Sequence, residues 1–273
     1  MTDFACPVCL NRLERGAKSM TCANGHSFDF ARSGYVNLLM SQQSRKKQHG
    51  DDKAMIRARS AFLDKGYYGD LRTALAEAAA SCVQDGGAVL DAGCGECYYT
   101  AAVAEELGRL GRNVQMFGID ISRDALRAGA KRGDDLLLAV SSIFRLPISD
   151  KSCDMVMNVF APTSPREYHR VLKTGGFLVI AAPLEMHLWE LKAAVYEKPY
   201  MNDAPQTALD GFMLIKKQEL KKTIHIDNKE DISNLFAMTP YAHKTGKNDM
   251  ARLEQLEELY TATEFGVYIY QKI

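Results

Sequence analysis

The sequence predicts an α/β protein: a parallel sheet covered on both faces, preceded by a small N-terminal metal-binding domain. Three observations carry this expectation. Five apolar runs alternate with helical stretches between positions 88 and 182, the order that a sheet of parallel strands requires. The first run, Ala88-Val89-Leu90-Asp91, passes at once into Ala92-Gly93-Cys94-Gly95-Glu96, a buried strand turning sharply into a helix where open α/β sheets bind ligands. Near the start, Cys6-x2-Cys9, twelve residues and Cys22-x3-His26 set four metal ligands at the spacing of two knuckles.

Composition narrows the class. A chain of 273 residues holds one sizeable α/β domain and a small addition, and 47% hydrophobic with 25% charged residues describes an ordinary globular protein. No apolar run approaches a membrane span, and Asp3 and Cys6 do not belong in a signal peptide, so a cytoplasmic protein with no membrane partner is expected. Net charge is zero but uneven: residues 1–65 hold 11 Lys and Arg against 6 Asp and Glu, which points to a polyanionic partner for the front end. Seven cysteines without a secretory context favour metal over disulfides.

Taken in order, residues 1–40 form the zinc-binding domain. Cys6, Cys9, Cys22 and His26 complete a tetrahedron that leaves no open position, so the metal is structural, and Asn24-Gly25 gives the second knuckle its left-handed freedom. The aromatic-rich stretches 28–30 and 34–39 are expected to close this domain. Residues 41–84 read as a basic linker and two helices. Arg45-Lys46-Lys47 is either a phosphate-binding loop or a solvated one. A helix from Asp52, with Met55, Arg59, Phe62 and Leu63 at helical spacing, stops at Gly66, and a second spans 71–82. Residues 85–273 form the main domain. Its strands are 88–91, 114–120, 136–140, 153–160 and 177–182, and its helices begin near Tyr98, Arg123 and Pro165, the last broken at Thr174-Gly175-Gly176. A helix at 188–196, a strand at 212–226, a helix at 232–238 and a strand at 265–273 follow.

The ligand expected at the glycine turn is not a dinucleotide. In that fingerprint the last position of Gly-x-Gly-x-x-Gly must be small, whereas here it is Tyr98, and Asp91 at the strand tip suits a cation better than a pyrophosphate. S-adenosylmethionine, with its ammonium and sulfonium, fits both points. Asp91, Gly93, Gly95 and Glu96 would cradle it, and Tyr98 and Tyr99 would pack on it or on its substrate, unless they are helix core. Asp120 would accept from ribose hydroxyls or else cap the following helix, and Ser141 and Leu146 would flank the adenine.

Asp91-x-Gly93-x-Gly95 resembles motif I of the Rossmann-like class I SAM-dependent methyltransferases, with Cys97 where a third glycine is usual. Over its whole length the chain resembles the RlmA-type 23S rRNA (guanine-N1)-methyltransferases. That resemblance rests on the Cys6, Cys9, Cys22, His26 set, Gly34-Tyr35-Val36-Asn37-Leu38-Leu39, Gly50-Asp51, Ala58-Arg59, Ala161-Pro162, His187-Leu188 with Glu190-Leu191-Lys192, and Met238-Thr239-Pro240. It implies methylation of N1 of a guanine in hairpin 35 of domain II of 23S rRNA, a zinc domain that grips RNA, and a homodimer. Two subfamilies modify different guanines there, one of them conferring resistance to tylosin-type macrolides.

Guanine N1 carries a proton that must leave, and its pairing edge must be splayed out and stacked. Phe160 and Pro162 are expected as an apolar wall, and His187 as the base or an edge contact, or else as a cap for the next helix. Arg45, Lys46, Lys47, Arg57 and Arg59 are expected to hold RNA, with Arg59 also placed to reach the active site. The competing readings are a small-molecule methyltransferase and a non-catalytic RNA-binding protein.

Overall fold

The computed structural model describes residues 4–40, 50–242 and 245–273. The knuckles carry a three-stranded antiparallel sheet of β1 (Leu13–Arg15), β2 (Ser19–Cys22) and β3 (Ser27–Asp29). β4 (Val36–Asn37) follows, then α1 (Lys53–Asp64) and α2 (Gly69–Cys82). The main domain runs β5 (Ala88–Ala92), α3 (Tyr98–Arg109), β6 (Gln115–Asp120), α4 (Arg123–Gly129), β7 (Leu136–Val140), β8 (Cys153–Val159), α5 (Pro165–Val171), β9 (Leu172–Pro183) and α6 (Trp189–Val195). It ends with β10 (Phe212–Ile226), α7 (Lys229–Ala237), α8 (Lys247–Glu254) and β11 (Leu259–Lys272).

Eight strands form one sheet in the order β10-β11-β9-β8-β5-β6-β7-β4. β5 to β9 are mutually parallel, as their alternation with helices requires, and β10 and β11 add an antiparallel pair beside β9. Every residue of β5 is buried, consistent with a strand covered on both faces. Each fully buried Val or Leu there contributes roughly 1.5–3 kcal/mol. β5 lies between β6 and β8, so the chain departs from it in both directions, and the crevice opens beyond its C-terminal end.

Four readings of the sequence change here. Val36-Asn37 does more than close the zinc domain: Val36 bridges back to Phe30, and the two residues also pair in parallel with Ala139 and Val140 of β7 as the outer strand of the main sheet. Thr174-Gly175-Gly176 does not separate helix from strand, because β9 already begins at Leu172, and the glycines lie where its register against β8 shifts between Cys153 and Met155. β11 starts at Leu259 rather than 265, its first half paired only with β10. α8 was not foreseen; it is largely polar and buries only Leu253.

The two faces are covered differently. One is packed by α2, α3, α6 and α7, through Leu75, Val103, Leu191 and Leu235. On the other, the zinc module takes a place expected of a helix. Phe4, Leu13 and Met20 share a buried cluster with Phe117 and Val171, and Phe4 meets Phe117 edge-on at 5.3 Å. Asp52 caps α1 by accepting from the Met55 amide at 2.9 Å, and Ser122 caps α4 through the Ala125 amide. Ser122 also donates to the Asp51 carbonyl at 2.9 Å, which fastens the start of α1 to the tip of β6.

Candidate active site

The glycine turn after β5 is the floor of a cavity of about 730 Å³ at the C-terminal ends of the parallel strands. Its backbone is forced into unusual conformations: Gly93 has φ 96°, Gly95 φ 54° and Cys97 φ 61°. A Cβ on Gly93 would lie 2.5 Å from the Ala161 Cβ, and one on Gly95 2.9 Å from Arg59 Nη2. The turn therefore needs glycine because of its protein neighbours and its left-handed backbone, not only to admit a ligand. Cys97 adopts the conformation glycine would hold without strain. Phe160 at φ 55°, in the cavity lining, and Leu188 at φ 57°, in the core at the start of α6, repeat this, each a position costing about 1–3 kcal/mol that its surroundings must over-determine.

Asp91 is buried in the cavity wall. Its Oδ2 accepts from Thr100 Oγ1 at 2.6 Å, while Oδ1 is buried and, among the described residues, has no hydrogen-bond partner. Burial pushes this carboxyl up to about 7; Thr100 opposes the shift, and Asp120 and Glu96 add to it. A buried acceptor without a donor fits a ligand ammonium. Asp120 also faces the cavity. Its Oδ2 accepts from the Gly95 amide at 2.9 Å and its Oδ1 from the Ser122 amide at 2.7 Å, and burial raises its pKa against those two bonds. It thus fastens the glycine turn to β6, while the N-cap of α4 is Ser122.

Arg59 reaches the site from α1. Its Nε donates to Glu96 Oε2 at 2.7 Å and its Nη1 to Asp51 Oδ2 at 2.5 Å, and Glu96 is almost wholly buried. Burial opposes its charge, but the two carboxylates raise its pKa. Arg59 therefore belongs to the wall of the crevice, in line with the second of the two roles read for it from the sequence. Glu96 lines the cavity with its Oε2 given to Arg59.

The other half of the cavity is aromatic. Phe160 and Pro162 line it, and the Tyr99 ring lies 6.3 Å from that of Phe160. The Tyr99 hydroxyl is buried with no hydrogen-bond partner among the described residues, and burial keeps it protonated by raising its pKa well above the usual phenol range. Tyr98 is held between Arg72 and Arg132, each guanidinium about 5.5 Å or less from its ring centre.

His187 is also in this wall, but it is no base. Its Nδ1 accepts from the Glu264 amide at 3.2 Å, which leaves the proton of the neutral ring on Nε2, 3.4 Å from the Tyr68 hydroxyl. Burial, helped by the charge of Lys192, pulls its pKa down to about 3, so the ring is neutral and Nε2 is a donor. It does not cap α6 either, since the N-cap there is Leu188 with no side-chain bond.

Ser141 lines the cavity, as do Ile143 and Phe144, whereas Leu146 does not and is buried in the core beneath the zinc module. Arg57 is exposed on α1. Arg45, Lys46 and Lys47 lie outside the described residues. Tyr68, Asn202 and the turn carrying Met238, Thr239, Pro240 and Tyr241 also line the cavity. Met238-Thr239-Pro240 and Gly50-Asp51, which in the sequence carry only the family resemblance, thus belong to the cavity wall.

The sulfurs of Cys6, Cys9 and Cys22 and a ring nitrogen of His26 lie within 4.8 Å of one another, with His26 Nδ1 at 3.3 Å from Cys22 Sγ and 3.6 Å from Cys6 Sγ. Zn–S bonds of about 2.3 Å and Zn–N bonds of about 2.0 Å give tetrahedron edges in this range. The donor set is thus consistent with structural zinc, although none of its members enters the cavity.

Comparison with known proteins agrees with this layout. A family model described as "RlmA, N-terminal" matches residues 4–47, and one described as "Methyltransferase domain" matches 83–237. A 23S rRNA (guanine(748)-N(1))-methyltransferase of Streptomyces fradiae is 32% identical over 90% of this chain and 88% of its own. YxjB of Bacillus subtilis (strain 168), which bears the name of a 23S rRNA (guanine-N(1)-)-methyltransferase, is 28% identical over 98% of this chain and 97% of its own. A demethylmenaquinone methyltransferase of Staphylococcus epidermidis is 33% identical, over 56% of this chain and 67% of its own. With the zinc ribbon, the methyltransferase domain and a relative matched nearly end to end, the chain belongs to the RlmA family of 23S rRNA (guanine-N1)-methyltransferases.

Proposed function

We propose that this chain transfers a methyl group from S-adenosylmethionine to N1 of a guanine in hairpin 35 of domain II of 23S rRNA. The observation that carries the reading is the acceptor half of the crevice. Phe160 and Pro162 offer flat apolar faces, and the buried Tyr99 hydroxyl and the neutral His187 Nε2–H belong to the same wall. Such a wall suits an extruded base with a carbonyl oxygen on its pairing edge. The name of the Streptomyces fradiae relative specifies N1 of a single guanine, number 748 of 23S rRNA, which supports one defined guanine as the acceptor.

Bound S-adenosylmethionine supplies an electrophilic methyl group. The orphan oxygen of Asp91 would receive its ammonium, Asp120 its ribose hydroxyls, and Ser141, Ile143 and Phe144 would stand beside its adenine. The residues of this chain then do two things. Phe160 and Pro162 hold the guanine plane against the methyl donor, which is the main contribution an enzyme makes to an in-line displacement. As the N1 proton leaves, negative charge spreads onto O6, where the Tyr99 hydroxyl is placed to donate. The carboxylates that line the cavity already accept from other groups, Asp51 and Glu96 from Arg59, Asp91 from Thr100 and Asp120 from the Gly95 and Ser122 amides, so the N1 proton goes to water.

The zinc module and the basic front end present the RNA. A small-molecule acceptor would need neither, and the demethylmenaquinone methyltransferase match leaves over two fifths of this chain uncovered. Primer extension across hairpin 35 after in vitro methylation tests the placement. A new stop at one guanine of that hairpin is expected, and stops elsewhere in 23S rRNA would overturn it.

A further inference from the structure

His187-Leu188-x-Glu190-Leu191-Lys192 stands out in the sequence as a block, and the methyl-transfer chemistry uses only its histidine. The geometry gives the rest a role. Glu190 Oε2 accepts from the Ala262 amide at 2.7 Å and from Thr261 Oγ1 at 3.2 Å, and the Leu188 amide donates to the Ala262 carbonyl at 2.8 Å. With the bond from the Glu264 amide to His187, these contacts sew the start of α6 to the half of β11 that extends past β9.

Lys192 lies one turn along α6 and is 1% exposed. No acidic side chain pairs with it among the described residues. Its ammonium donates to Asn202 Oδ1 at 2.6 Å and to the Tyr200 carbonyl at 3.1 Å, and lies 4.7 Å and 4.8 Å from the ring centres of Tyr200 and Tyr241. Burying a lysine without a carboxylate is costly, and desolvation pulls its pKa down. An apolar residue of that length would pack there at lower cost, so the ammonium is retained for what it holds.

What it holds is the far wall of the crevice. Every polar atom of the Asn202 side chain is engaged: Oδ1 accepts from Lys192 and from the Tyr241 hydroxyl at 3.0 Å, and Nδ2 donates to the carbonyls of Leu184 at 2.9 Å and His187 at 3.3 Å. The Asn202 amide also donates to the Glu185 carbonyl at 2.9 Å. Asn202 therefore has nothing left for a ligand and acts as a node joining three separate segments: the turn before α6, the irregular stretch between α6 and β10, and the turn carrying Tyr241. His187, Asn202 and Tyr241 all line the cavity.

We propose that Lys192 is a positioning residue for methyl transfer, whose buried ammonium locks Asn202, Tyr241 and the backbone of His187 into the wall that orients the acceptor base. This rests on the reading of that half of the crevice as the guanine pocket. Lys192 touches neither cofactor nor base and acts through Asn202. Asp91, Asp120 and Gly95, which would hold S-adenosylmethionine, make none of their hydrogen bonds to this node.

The test compares parent, Lys192→Met, Lys192→Arg and Asn202→Ala in methylation of an unmodified 23S rRNA hairpin, with S-adenosylmethionine affinity measured by calorimetry and folding by thermal melting. Lys192→Met is expected to lower kcat by about 10- to 100-fold, the scale of a slight misplacement of a reacting group, while cofactor affinity stays within about twofold. Lys192→Arg should recover part of the loss. The double variant Lys192→Met with Asn202→Ala should be no slower than the slower single variant, because both break one node. Unchanged kcat in Lys192→Met would overturn the inference, as would losses in kcat and cofactor affinity of equal size. If Lys192→Met does not fold, Asn202→Ala decides alone by the same criteria. A parent enzyme without 1-methylguanosine product would instead refute the reading of the pocket, which keeps the two failures apart.

Discussion

Replacing Arg59 by Met leaves two carboxylates facing each other without their common cation. In the parent protein the guanidinium holds Glu96 with Nε at 2.7 Å and Nη2 at 2.5 Å, and Asp51 with Nη1 at 2.5 Å. The Glu96 side chain is 3% exposed and that of Arg59 20%. Removing one partner of a buried pair costs about 3–5 kcal/mol, because the remaining charge keeps its desolvation penalty. The residual exposure of Arg59 places this pair near the lower end, about 3 kcal/mol. The loss also reaches function, since Glu96 sits in the turn that carries Gly95 and Cys97. Urea unfolding with zinc present, followed through the single tryptophan, Trp189, measures the first effect, and calorimetric titration with S-adenosylmethionine the second. Arg59→Lys restores the charge but not the fork and should recover part of both. A stability change below about 0.5 kcal/mol in Arg59→Met, the range of ordinary surface substitutions, would refute the network.

Other expectations follow from the same geometry. Asp91 titrates near 7 in the folded protein against 3.8 unfolded, so the folded state holds a proton that the unfolded chain has released between those values. The free protein should therefore lose stability as pH rises through that window, and Asp91→Asn should flatten the slope in melting curves. S-adenosylmethionine should bind more tightly as pH rises from about 5.5 to about 7.5 and release a proton on binding; heats independent of buffer ionisation would count against Asp91 as the ammonium partner. Tyr99→Phe should lower kcat by about 10- to 100-fold, somewhat less than the loss of a full oxyanion-hole donor, with little change in cofactor affinity. An unaffected kcat would remove Tyr99 from the chemistry. Stripping zinc with a chelator should abolish RNA methylation before cofactor binding and lower the melting temperature, since the module packs on the main sheet; protein purified without chelator that contains no zinc would contradict the metal site.

The parts of this site that were legible in the sequence are those set by local chemistry. β5 and its turn could be placed because an all-buried strand and closely spaced glycines leave a signature within ten residues. The zinc ligands could be placed because knuckles fix their own spacing. What escaped depends on partners far along the chain. His187 reads as a base until the Glu264 amide, from β11, is seen to occupy Nδ1. Arg59 reads as either an RNA contact or an active-site residue, and its ion pair with Glu96, 37 residues further on, cannot be read from local spacing. Leu146 sits close to Ser141 in sequence, yet it is buried in the core that the zinc module completes, while Phe144, and Ile143 at the edge of that core, line the cavity. The two residues of β4 carry no strand signal of their own and take their conformation from β7.

The central claim, methyl transfer to guanine N1 of 23S rRNA, is tested most directly by incubating the protein with unmodified 23S rRNA and S-adenosylmethionine carrying a labelled methyl group. The RNA is then digested to nucleosides and the label identified by chromatography and mass spectrometry. The account predicts that the label appears in 1-methylguanosine, at about one per RNA. Label in another nucleoside, or none in RNA under conditions where the protein binds S-adenosylmethionine, would contradict it.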